Sequence, residues 1–406
     1  MITQGISPPL KMELLIPESD NSRDQDIEVS IVVPALNEEI TIGEFVDWCW
    51  EGLKKANKIG EVLIIDSSTD STPLIALSKG ARVLKTPKGG LGKAYLDSIP
   101  FIRGKFIVLG DCDLTYDFRD LQPFMKAFES GADFVMGSRF SGSIERGAMP
   151  KLHQYFGTPL TTWILNKLYQ SKYSDIHCGM RGLTKQAFIR LQLTSHDWEY
   201  ASEMVLKAAR LKFNIHEVPV NFYKDRKGRV SHHKRMGFLS PWIAGWINLK
   251  VMLIYCADTF LVLPGIFFAI LGSVLMLLES IGGIEFGPIR FNLHTWLLGF
   301  TFIILGNSFF QAGLLVRARH QLKVGALGFA YKIFSYNNGM ILSAVIFLIG
   351  FSLDIQFLLN YLHNHFALSQ ISRMALFGLL LMVISAQTFT FTLSLELSRR
   401  LNNFKS

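Results

Sequence analysis

Four stretches in the last third of this 406-residue chain, near residues 259–279, 291–316, 337–359 and 374–396, each run about 20 residues with at most one ionisable side chain inside them. "TFLVLPGIFFAILGSVLMLL" and "MALFGLLLMVISAQTFTFTLSL" are the clearest. A soluble core seldom strings four such segments in succession with short loops between them. The chain therefore reads as a multi-pass integral membrane protein, expected in the cell membrane.

Loop charge gives the expected orientation, because basic residues favour the cytoplasmic side. The loop after the second span carries Arg317, Arg319, Lys323 and Lys332, and the tail carries Arg399, Arg400 and Lys405, whereas the other two loops offer Arg290 and Arg373. Both termini and the part before residue 259 are expected in the cytoplasm, and no secretory signal is read at the start. Cys49, Cys112, Cys178 and Cys256 form no C-x-x-C pair, which argues against a zinc site or a disulfide framework and agrees with a reducing compartment. Of the net +8, residues 259–406 hold nine basic and four acidic residues, leaving +3 on the larger part. That placement fits anionic lipid headgroups and gives no reason to expect a nucleic-acid partner.

Residues 1–28 read as a polar lead-in. From residue 29, short β-branched runs ("VSIVVPAL", "EVLIIDSS", "ARVLKTP", "KFIVLGDCD") alternate with amphipathic stretches, the pattern of a parallel sheet covered on both faces. Ligands of such sheets sit outside the carboxyl ends of the strands, and Asp66 and the pair Asp111 and Asp113 fall there. Two carboxylates one residue apart suit Mg²⁺ or Mn²⁺ beside substrate phosphates. D-x-D alone is a weak signal; its position strengthens it. A further strand, "DFVMGSRF", contains Arg139. Residues 149–170, with Tyr155, Trp163 and Tyr169, read equally as a helix lying on a bilayer or a packed surface helix. There follow a loop "SDIHCGMRGL", a helix near 198–212, a strand "NIHEVPVNFY", a basic loop "KDRKGRVSHHKR", and an interfacial segment 236–258 with Trp242 and Trp246. The expected domains are 29–235, that interfacial segment, and the membrane domain 259–406.

Taken in order, "VSIVVPALNEE", "EVLIIDSSTDST", "GDCDL", "VMGSRF" and "DIHCGMRGL" resemble the family 2 glycosyltransferases of the dolichyl-phosphate (polyprenyl-phosphate) mannose and glucose synthase type, over about residues 29–258. The resemblance implies an α/β GT-A, Rossmann-like, mostly parallel sheet with helices on both faces, followed by an all-α domain of four transmembrane helices. It implies a UDP- or GDP-hexose donor, a Mg²⁺ or Mn²⁺ cofactor, and a polyprenyl or dolichyl phosphate acceptor at the lipid bilayer. Pro34, Leu36, Asn37 and Glu38 resemble the nucleotide-binding start; Asp66, with Asp70, resembles the acid that contacts base or ribose. Asp111 and Asp113 resemble the metal-binding pair, with Thr115 as a third polar ligand and Asp111 also facing the donor. Arg139 resembles the arginine that meets phosphates near the acceptor, and Glu203 the helix acid that positions the donor sugar or an arginine. Asp113, Arg139 and Glu203 are thereby the catalytic candidates.

Two segments depart from the family pattern. "DSSTD" (Asp66 to Asp70) is shorter than the usual D-D-G-S-x-D, so base preference does not transfer. The late phosphate loop has altered spacing, leaving Arg226, Ser231 and Lys234 as its acceptor-phosphate candidates. "PKGGLGKA" lacks phosphate-loop spacing and reads as a strand-to-helix turn. Asp354 stands inside the third span, where a charge is costly. A processive polysaccharide synthase is the rival enzyme, disfavoured because no Arg-Trp pair occurs; an inactive scaffold or lipid-flipping protein is the rival from another class. A homo-oligomer is left open.

Overall fold

The structure, a computed structural model, describes residues 12–18, 26–169, 171–226, 228, 246, 250, 256–281, 285–286, 289–290, 292–319, 327–363 and 372–403. The chain divides into two units, Met1–Met252 and Leu253–Ser406.

The first unit is built on strands β1 (Glu13–Leu15), β2 (Val29–Ala35), β3 (Gly60–Asp66), β4 (Arg82–Lys85), β5 (Phe106–Leu109), β6 (Phe134–Ile144), β7 (Arg181–Thr184) and β8 (Ile215–Phe222). Their order in the sheet is β1-β4-β3-β2-β5-β7-β6-β8. Strands β2 to β5 pair in parallel, as do β6 and β8, while β1 and β7 run against their neighbours. The Val- and Ile-rich centre is buried on both faces. Ile31, Val33, Val62 and Ile64 pack with Phe45, Val46 and Cys49 of helix α1 (Ile42–Lys55), and the alternate Val32, Leu63 and Ile65 are equally buried.

Two expectations need correction. The lead-in is not wholly outside the domain, because Glu13, Leu14 and Leu15 pair antiparallel with Lys85, Leu84 and Val83 and extend the sheet. Part of the loop "SDIHCGMRGL" is strand β7, inserted between β5 and β6.

The helices that matter below are α2 (Thr72–Ser78), α3 (Leu91–Ser98), α4 (Gln122–Glu129), α5 (Thr158–Tyr169), α6 (Lys185–Leu191) and α7 (Glu199–Arg210). The glycine-rich turn before α3 serves packing. A Cβ on Gly92 would stand 2.8 Å from the Tyr200 Cβ, and the Lys93 amide donates to the His196 carbonyl at 2.9 Å.

The second unit holds helices α8 (Leu263–Ile281), α9 (Leu293–Arg319), the short α10 (Gly328–Ile333), α11 (Tyr336–His363) and α12 (Arg373–Asn403). Among the described residues, four helices are long and apolar enough to cross a membrane, at Thr259–Ile281, Leu293–Arg319, Tyr336–His363 and Arg373–Arg400. They coincide with the four expected spans, and the chain is a membrane protein. Helix pairs meet at glycines, the usual route to close backbone contact in lipid. A Cβ on Gly299 of α9 would stand 2.7 Å from the Gly272 carbonyl of α8, and one on Gly350 of α11 equally close to the Gly378 carbonyl of α12. Asn307 of α9 donates to Gln387 of α12 at 2.7 Å, and Gln387 to Ser308 at 2.8 Å. Asp354 lies against Gly378, and neither of its oxygens has a hydrogen-bond partner among the described residues.

Candidate active site

The parallel core delivers the loops after β2, β3 and β5 to one edge of the sheet, and β7, running the other way, begins there. Leu109 at the end of β5 faces Arg181 at the start of β7. The acid pair follows β5 directly. Asp113 accepts from the Thr115 amide at 3.0 Å and from its hydroxyl at 2.5 Å, closing a turn in which Leu114 takes a positive φ of 63°. A non-glycine residue held there marks local strain. Gly179, in the loop before β7, packs against this turn. A Cβ at that position would stand 2.7 Å from Asp111 Oδ2, so glycine keeps the space beside that carboxylate open. The Gly179 amide donates to the Tyr116 hydroxyl at 2.8 Å.

Asp66 ends β3 and is 1% exposed. Its Oδ1 accepts from the Ser68 amide at 3.3 Å, while Oδ2 is buried without a partner among the described residues. Burial raises its pKa above the ordinary carboxylate value, against the bonds from Ser68. Asn37, at φ 57°, ties the loop after β2 to the loop after β3: its amide donates to Ser68 Oγ at 2.8 Å and its Oδ1 accepts from the Thr69 amide at 2.9 Å. The buried Glu38 donates its amide to Thr72 Oγ1 at 2.9 Å. Pro34 and Leu36 flank these contacts, half-buried.

Arg139 on β6 is buried and bound to Asp175. Its Nε donates to Oδ2 at 2.6 Å, its Nη2 to Oδ1 at 2.8 Å, and its amide to Oδ2 at 3.2 Å. The Phe222 ring lies 5.3 Å from the guanidinium. Burial alone would raise the Asp175 pKa, but the bonds and charge of Arg139 hold it below the ordinary carboxylate range. Next to it, burial pushes His177 down to about 4 and Cys178 up to about 12, so the imidazole and the thiol are both neutral.

Several expected site residues have other partners. The Thr115 hydroxyl gives its proton to Asp113, so Thr115 also positions that carboxylate. Glu203 is fully buried in α7 and accepts from the Thr194 amide (3.0 Å) and the Ser195 amide (2.8 Å), with Lys207 beside it at 2.7 Å. Through those amides it fixes a loop. Asp70 accepts from the Thr72 amide at 3.0 Å in the first turn of α2. Arg226 forms an exposed ion pair with Glu44 of α1. Ser231 and Lys234 lie outside the described residues, as does most of the interfacial segment 236–258.

Nothing in the sequence singles out Asp175, Tyr116 or Glu217, whereas His177-Cys178, with no matching ligand pair nearby, reads as a packed or acceptor-loop pair rather than a metal site. Asp175 stood inside the motif "DIHCGMRGL", yet nothing local pairs it with an arginine 36 residues earlier.

Residues 30–192 match the family model Glycosyl transferase family 2, and residues 321–399 match the Glycosyltransferase family 2 C-terminal transmembrane region. The chain belongs to glycosyl transferase family 2, and its first unit has the GT-A fold. It is 37% identical over 281 residues to the low-salt glycan biosynthesis hexosyltransferase Agl6 of Haloferax volcanii, covering 68% of this chain and 66% of that protein's length. It is 28% identical over 234 residues to a dolichyl-phosphate hexose transferase of the same organism, covering 57% of this chain and 95% of the relative. Among solved structures, glucosyl-3-phosphoglycerate synthase from Mycobacterium tuberculosis matches with a TM-score of 0.42 at 19% identity, over 57% of this chain and 80% of that one.

Proposed function

We propose that the chain is an inverting hexosyltransferase that moves the sugar of a UDP- or GDP-hexose onto a polyprenyl or dolichyl phosphate, giving a lipid-linked monosaccharide for cell-envelope glycan or glycoprotein assembly. The observation that carries this reading is the grouping at one sheet edge of an acid pair, a buried carboxylate with a spare oxygen, and an acid-anchored arginine, in a chain with four membrane-spanning helices. The relative named for dolichyl-phosphate hexose transfer supports the same acceptor class.

Asp111 and Asp113 are the residues that would hold Mg²⁺ or Mn²⁺. Both offer hard carboxylate oxygens, and Gly179 keeps the space beside Asp111 open. Among the described residues no group of three or more His, Cys, Asp or Glu gathers as a metal cage, which suits a cation that completes its shell with diphosphate and water oxygens. When bound, the ion neutralises charge on the nucleotide diphosphate. Asp66 would accept a hydrogen bond from the ribose or base through Oδ2.

A phosphate monoester has a second pKa of about 6, so its oxygen is a nucleophile at neutral pH without a strong protein base. That oxygen bonds to the sugar's anomeric carbon as the bond from that carbon to the nucleotide diphosphate breaks, the diphosphate leaving with the electron pair. A single displacement inverts the configuration. Arg139 would hold the acceptor phosphate in line.

The helical stretch 151–169, which ends in α5, fits a lipid-borne acceptor. Leu152, Tyr155, Phe156, Leu160 and Trp163 point outward, while Thr158 and Thr162 point inward. A helix in water does the reverse, and an apolar stripe with Lys151 and Lys167 beside it suits a bilayer surface. Membranes containing the protein, incubated with a panel of labelled UDP- and GDP-hexoses and polyprenyl phosphate, are expected to yield one lipid-linked hexose. Polymer in its place, or no labelled lipid from any donor, overturns the proposal.

A further inference from the structure

We infer that His177 is a positioning residue for the acceptor phosphate: its ring, seated on Thr161 of α5, fixes the Asp175 turn that aims Arg139. The inference rests on the acceptor role proposed for Arg139 and asks what holds that arginine in place.

The contacts form a continuous path. His177 Nε2 lies 2.8 Å from Thr161 Oγ1, and the same hydroxyl lies 2.9 Å from the Gly157 carbonyl and 3.1 Å from that of Thr158. A hydroxyl has one proton to give. With that proton on a helix carbonyl, Oγ1 accepts from the ring, which selects the Nε2–H tautomer. The His177 amide donates at 3.2 Å to Asp175 Oδ1, the oxygen that also accepts from Arg139 Nη2. An aspartate bonding the amide two residues on is a turn of defined shape. Displacing residue 177 therefore displaces the oxygen that orients the guanidinium.

The rest of the loop is held elsewhere. Glu217 Oε1 on β8 accepts from the Ser174 amide at 2.8 Å and the Asp175 amide at 3.3 Å, and Tyr116 takes the Gly179 amide. These bonds pin the loop to the sheet and to the turn after β5. Thr161 pins its middle to α5, the helix whose opposite side carries the exposed apolar stripe. The site that meets the phosphate is thereby in register with the helix proposed to meet the lipid.

The test uses the full chain in detergent micelles, with farnesyl phosphate as acceptor probe and UDP and GDP as donor-side probes, each titrated calorimetrically. H177F keeps a ring but no hydrogen bond; T161V keeps the shape of threonine without its hydroxyl. Each is expected to weaken farnesyl phosphate binding about tenfold, the scale of one lost buried hydrogen bond, while nucleotide affinity is unmoved. H177Q, whose side-chain N–H stands the same number of bonds from the backbone, and T161S are expected to restore binding. Wild-type affinity in H177F and T161V, or no recovery in H177Q and T161S, overturns the inference. Should H177F fail to fold, as judged by its melting temperature, T161V and T161S carry the test. R139K separates the two readings: if it loses farnesyl phosphate and H177F and T161V do not, the positioning role falls and the acceptor role stands. If wild type binds no farnesyl phosphate, the acceptor role itself falls.

Discussion

Asp175 takes two bonds from the Arg139 side chain, 2.6 Å and 2.8 Å long, in a place where the acid is 0% and the arginine 7% exposed. Two charges so enclosed cost desolvation energy that their mutual bonds largely offset. Removing one partner leaves the other uncompensated. Asp175→Asn is therefore expected to lower unfolding free energy by about 3–5 kcal/mol, read from chemical denaturation of the detergent-solubilised protein. A change within about 0.5 kcal/mol, the range of ordinary surface substitutions, shows that the pair is not the anchor described here.

Asp113→Asn alters charge with little change of shape, and the Thr115 bonds to Oδ1 can persist. The variant is expected to fold and insert normally yet to transfer sugar at least about a hundredfold more slowly, since metal stabilisation is worth several kcal/mol. EDTA should silence the wild type, and added Mg²⁺ or Mn²⁺ should restore it. Full turnover in metal-free buffer overturns the assignment of Asp111 and Asp113.

How far sequence could reach depends on where the information lies. The runs "VSIVVPA" and "GEVLIID" declare buried strands by themselves, and their alternation with helices places Asp66, Asp111 and Asp113 at one edge. Strand β7 is four residues, "RGLT", in a glycine-containing loop. It is a strand because β5 and β6 leave a gap for it, and no local pattern reports that. Asp175 is hidden for the same reason, since its partner is set by the β6–β7 pairing. Glu203 has a motif's position, but its bonds run to amides of a loop whose path only the fold determines.

Asp66 should make donor binding sensitive to pH. Burial raises its folded-state pKa, so it begins to take up a proton above the ordinary aspartate value of about 3.9. Oδ2 accepts a hydrogen bond from the nucleotide only when unprotonated. Affinity for UDP or GDP should therefore fall as pH drops towards the ordinary aspartate range, with part of the loss arising before an ordinary aspartate would titrate. Asp66→Asn should bind more weakly and lose that slope. A wild-type slope unchanged in the variant assigns the titration to another group.

The orientation of the chain in the bilayer is the remaining structural expectation with a direct test. Arg317, Arg319 and Lys332 flank one end of the helix pair α9 and α11, and Arg399 and Arg400 end α12, whereas Arg373, which starts α12, is bound to Glu279 at 2.6 Å. The bias that orients spans counts basic residues rather than net charge. Their excess after α9 and at the end of α12 is what favours a cytoplasmic first unit. In a variant freed of native thiols, single cysteines placed at Lys323 and in the tail at Lys405 should be shielded from a membrane-impermeant maleimide in intact cells and react after permeabilisation. Cysteines at Glu285 and His365 should react without permeabilisation. The opposite labelling would put the acid pair and Arg139 on the outer face, away from the cytoplasmic nucleotide-sugar pool, and would remove the proposed donor class along with the topology.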